Sequence, residues 1–101
     1  MNTNETIIKM QEKIESIKNY ATEKANLVDE NTKNKIEEIA NRTTEVIKSA
    51  ITKVEETSKD VVKDENFEEF LAKVSEKCEA ASKFTIEKNV KKFTNIIIIS
   101  L

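Results

Sequence analysis

The chain has 101 residues with no glycine, proline, histidine or tryptophan, and its 17 Lys+Arg against 19 Asp+Glu leave a formal net charge of −2. Without histidine the usual general base and the commonest zinc ligand are missing, and without glycine no phosphate-cradling loop can form. Balanced charge argues against general nucleic-acid binding, which draws on a basic excess.

The missing glycine and proline also remove the residues that make tight turns and strand corners, so helix is the default conformation throughout. Leu, Ile, Val and Phe together supply more than a quarter of the chain, above the roughly 20% below which disorder is the better reading.

The first predicted helix covers about residues 3–29. Asn2 or Thr3 can cap it, and Glu5 and Glu12 lie toward the positive end of its dipole. Ile7, Met10, Ile14, Ile17, Ala21, Ala25 and Val28 recur at steps of three and four and form its apolar stripe, which thins to alanines. Asp29-Glu30-Asn31-Thr32-Lys33-Asn34 is the predicted interruption, because Asp, Asn and Thr side chains compete for backbone hydrogen bonds.

The second helix is expected over about 32–63, with Ile36, Ile39, Ala40, Ile47, Ala50, Ile51, Val54 and Val61 on one side. Carried through the interruption, the stripe reads Ile14, Ile17, Ala21, Ala25, Val28, Thr32, Ile36, Ile39, Thr43, Ile47, Ala50, Val54, Ser58 and Val61. Its steps repeat with a period of about 11 residues, or about 3.67 per turn, which suits a nearly straight helix. A single rod over residues 4–62, about 90 Å long, is therefore an alternative to two helices.

Lys63-Asp64-Glu65-Asn66 is the second predicted interruption, and Asn66 with Glu69 matches a capping-box variant at the start of a third helix, about 66–96. Phe67, Phe70, Leu71, Val74, Cys78, Ala81 and Phe84 are its expected apolar face and the bulkiest part of the core. Glu-to-basic pairs in the favoured i, i+4 order recur in all three segments: Glu5–Lys9, Glu38–Arg42, Glu55–Lys59, Glu69–Lys73, Glu79–Lys83 and Glu87–Lys91. Past Phe84 the chain becomes basic and finishes with four consecutive isoleucines, Ile96, Ile97, Ile98 and Ile99. These are expected to complete the last helix and pack on the bundle, with a membrane-surface or partner contact as the second reading. Ile86, Val90, Phe93 and Ile97 with Lys88, Lys91 and Lys92 are the candidate interaction site.

These elements predict a single all-α domain, an antiparallel three-helix bundle. The alternative is a long helical hairpin or coiled coil that dimerises. A lone cysteine with no histidine partner is a poor nucleophile, so Cys78 reads as a buried structural thiol. The carboxylates Asp60, Asp64, Glu65, Glu68 and Glu69 read as a solvated acidic turn, and no catalytic, cofactor or metal residue is proposed. No apolar run approaches the ~20 residues of a membrane span, and neither a leader pattern nor a disulfide pair is present, which points to the cytoplasm.

The expected role is non-catalytic: a helical protein that binds another protein or itself. Over residues 14–61 the 11-residue period, with Thr, Ala and Ser diluting the apolar stripe, resembles the amphipathic segments of lipid-droplet proteins, apolipoproteins and granule-coating phasins. That resemblance implies an alternative role as an amphipathic coat on a lipid or polymer-granule surface, with the basic, isoleucine-rich end as the anchor.

Overall fold

The computed structural model describes residues 2–57, 59 and 65–101. They form three helices, α1 (Thr3–Ala25), α2 (Glu30–Thr57) and α3 (Glu65–Ser100), each packed on the other two in the predicted all-α three-helix bundle. No strand occurs among the described residues.

Side-chain caps set the first two starts. The Glu5 backbone N–H donates to Asn2 Oδ1 at 2.9 Å, and Asn2 Nδ2 donates back to Glu5 Oε1 at 3.2 Å. The Thr32 backbone N–H donates to Asp29 Oδ1 at 2.9 Å, and the Lys33 N–H to the Asp29 carbonyl at 2.8 Å. Asp29 is thus the N-cap of α2, so the predicted interruption moves upstream: α1 ends at Ala25, and Asn31, Thr32 and Asn34 lie within α2. Residues competent to break a helix are equally competent to begin one when a cap precedes them. The chain reverses over residues 26–29 with no positive φ among the described residues, so it needs no glycine. This reversal replaces the continuous rod. The second predicted interruption falls partly outside the described residues, which resume with Glu65 already helical.

The three helices follow an up-down-up course in which α1 and α3 run parallel. Contacts between them keep a nearly constant sequence separation, from Thr3 with Glu68 to Tyr20 with Glu87. The helices hold 23, 28 and 36 residues rather than similar lengths. The Cα extents are 63 × 17 × 15 Å with a radius of gyration of 16.6 Å, against about 13 Å for a rounder domain of this length.

The core is a file of Met10, Ile14, Ile17 and Ala21 from α1, Ile36, Ala40, Ile47, Ala50, Ile51 and Val54 from α2, and Ile86 from α3. Here α3 departs from expectation. Its buried residues are Glu68, Ser75, Ser82 and Ile86, while Phe67, Phe70, Phe84 and Ala81 are exposed. Leu71 and Cys78 from the predicted face do pack against the core, partly buried. Small inward side chains let α3 seat closely between α1 and α2, and a bundle this narrow has no interior room for phenylalanine rings.

Candidate functional site

Three features mark the surface: the seam between α1 and α3, the outward face of α3, and its far end. The seam is polar. Lys83 Nζ donates to Ser16 Oγ at 2.7 Å and lies 3.5 Å from Glu79, which also pairs with Lys13 at 3.5 Å. One turn on, the Tyr20 hydroxyl donates to Glu87 Oε2 at 2.9 Å, and Lys24 reaches the same carboxylate at 3.5 Å. Lys24 and Lys83 also sit over the Tyr20 ring, at 5.3 and 5.5 Å. Two glutamates that the sequence pairs within α3 are thereby drawn into contacts between helices.

The titrations follow from this geometry. Burial pushes the Tyr20 phenol up to about 12, and the hydrogen bond and charge of Glu87 reinforce it. Burial works against ionisation of Glu79, but the hydrogen bond from Ser16 and the charges of Lys83 and Lys13 outweigh it and hold the carboxyl below its ordinary value. Glu87 is held low first by the Tyr20 hydrogen bond, against some burial, and then by Lys24 and Lys91. Each perturbed group is satisfied by its neighbours, so the seam reads as structural register rather than as poised acid–base chemistry.

At the opposite end of the seam, Thr3 Oγ1 donates to both carboxylate oxygens of Glu68, at 3.1 and 3.3 Å. Glu68 is therefore buried against α1, not part of a solvated acidic turn. Asp60 and Asp64 of the same predicted cluster lie outside the described residues. No group of His, Cys, Asp and Glu among the described residues is arranged to hold a metal ion. Cys78 is half-buried in a shallow apolar groove with Ile39 and Val46 of α2, rather than fully enclosed.

The outward face of α3 carries exposed rings among lysines. At about 100° per residue, Phe70, Ala81 and Phe84 fall on the side turned from Ser75 and Ser82, together with the exposed Lys73 and Lys77, while Phe67 and Val74 lie at its edge. Phe70 is 59% exposed and Phe84 65%. The candidate interaction residues divide between core and surface. Ile86 is wholly buried and Val90 packs partly against the core, so neither presents itself outward. Phe93 is half-buried, whereas Ile97, Lys88, Lys91 and Lys92 are exposed. Lys88, Lys91 and Lys92 line a shallow depression with Asn95, Ile96 and Ile99. The four terminal isoleucines complete α3 as predicted but do not pack on the bundle: Ile99 is 84% exposed.

The outward phenylalanines were missed because Leu71 and Cys78, which do face the core, lie next to them on the same broad stripe. The inward serines carried no apolar signal at all. No family model, curated protein or solved structure matches this chain. No helix among the described residues is long and apolar enough to cross a membrane.

Proposed function

We propose that this chain is a non-catalytic helical bundle that acts by protein–protein contact through the outward face of α3, with a second copy of itself as the partner, in a reducing cytoplasm where the single Cys78 stays a thiol. One observation carries the reading: α3 turns the hydroxyls of Ser75 and Ser82 inward and leaves the rings of Phe70 and Phe84 in water. Rings are the side chains that gain most from burial and anchor most interfaces. A helix that keeps them outside, on a bundle too narrow to take them in, offers a face complete only when covered.

The test is sedimentation over a broad range of concentration. The parent chain is expected to exceed the 11.6 kDa of a monomer, and a Phe70→Ser/Phe84→Ser variant to sediment as a monomer with unchanged helix content by circular dichroism. A parent that stays monomeric at the highest concentration, or a variant that assembles equally well, overturns the reading.

A further inference from the structure

The register between α1 and α3 fixes where the bundle ends. Tyr20 lies beside Glu87, and Lys24 reaches the same carboxylate, so Ala25, the last residue of α1, is level with about residue 92. Val90 is the last α3 residue packed on the core, yet α3 continues to Ser100. Its final two turns therefore project beyond both neighbouring helices.

This projection has no polar side. Ile96, Ile97, Ile98 and Ile99 follow one another at about 100° intervals and so encircle the helix. All four are exposed. An amphipathic partner or a groove would need one apolar stripe, whereas an apolar circumference suits an apolar surround. Two of the three polar side chains on the projection bond back onto the helix, Asn95 being the third. Thr94 Oγ1 donates to the Val90 carbonyl at 3.0 Å, and Ser100 Oγ to the Ile96 carbonyl at 2.9 Å. Hydroxyls turned back onto their own helix lower the cost of leaving water.

Charge identifies the surround. Lys88, Lys91 and Lys92 lie within about 100° of arc on the side of α3 away from the bundle, and residues 88–101 include no Asp or Glu. Lys88 rests over the Phe84 ring at 5.2 Å. The lysines and Ile96 and Ile99 line one depression, so cations meet apolar surface at the base of the projection. Residues 96–101 rise about 9 Å at 1.5 Å per residue, comparable to the ~5–10 Å over which interfacial segments enter the headgroup and acyl boundary.

We infer that the far end of α3 is a lipid-contact site for an anionic membrane leaflet, with the isoleucines entering the acyl boundary and Lys88, Lys91 and Lys92 on the headgroup phosphates. This site adjoins the outward phenylalanine face where Lys88 rests over Phe84, so its test turns on the lysines and isoleucines. The full chain is floated with vesicles of phosphatidylcholine, with and without phosphatidylserine. It is expected to float with the anionic vesicles and to be released by salt. Replacing Lys88, Lys91 and Lys92 together by Gln is expected to weaken that binding roughly a hundred-fold. Ile97→Ser/Ile99→Ser, which alters only exposed positions and leaves the fold intact, is expected to abolish it. Phe70→Ser, about 27 Å along the helix from Lys88, is expected to float like the parent. The inference is overturned if the parent floats with neither vesicle, or if the isoleucine variant floats as well as the parent. It is also overturned, in favour of a second copy as occupant, if the isoleucine variant only changes the sedimenting mass.

Discussion

Tyr20 shows how a single side chain records the packing of two helices. Its phenol is held neutral by burial and by donating to Glu87. A group whose folded value lies above its unfolded value, ordinarily near 10, stabilises the fold fully below that pH and ceases to as the pH rises through the folded value. The window here is about pH 10 to about 12. Tyr20 is the only tyrosine and tryptophan is absent, so ultraviolet absorbance of the phenolate reads this residue alone. Its midpoint is expected near 12 in the folded chain and near 10 in urea, with a loss of thermal stability across that interval that Tyr20→Phe removes. A folded-state midpoint near 10 would mean that Tyr20 does not reach Glu87. Ser82 shows the opposite case: its buried Oγ has no hydrogen-bond partner among the described residues, the local cost of bringing α3 close to its neighbours.

At the scale of the element, α3 divides its side chains between two unlike faces. The inward one buries Glu68, Ser75, Ser82 and Ile86, and the outward one carries the rings of Phe70 and Phe84 among lysines. Ile86→Ala is expected to cost about 2–5 kcal/mol, as buried isoleucines do, whereas Phe84→Ser is expected to change monomer stability by about 0.5 kcal/mol or less. Urea denaturation at a concentration where the chain is monomeric measures both. The reverse order would place the rings inside and refute the orientation of α3. The same division explains why Leu71 and Cys78 behave as the sequence suggested while their neighbours do not.

At the scale of the whole molecule, a 63 Å bundle only 15–17 Å across at its Cα atoms has little interior. Its register therefore draws on the polar seam as well as on the core. Glu79 and Glu87 are both held below their ordinary values. Groups lowered on folding stabilise above their unfolded value, about 4.3, and lose that contribution as the pH falls through the folded one. The urea midpoint is expected to decline as the pH drops below about 4.3, and to decline less steeply in Glu79→Gln/Glu87→Gln. An equal acid dependence in parent and variant would remove the seam from the stability of the bundle.

Composition and periodicity were sufficient for the class of fold. Without glycine or proline, and with apolar residues at steps of three and four, the chain has few routes to burial other than helices packed together. The Asn2 cap and the single stripes of α1 and α2 could be read directly, because each concerns neighbours along one helix. The rotation of α3 could not. Its stripe is broad enough to face the core in two ways, and the choice rests on Thr3, Lys13, Ser16, Tyr20 and Lys24 meeting glutamates and a lysine some 65 positions away. Where α1 ends relative to α3 depends on that same register. Local spacing determines which side chains share a face, and only contacts between distant segments determine which face is covered and how far a helix projects beyond its neighbours.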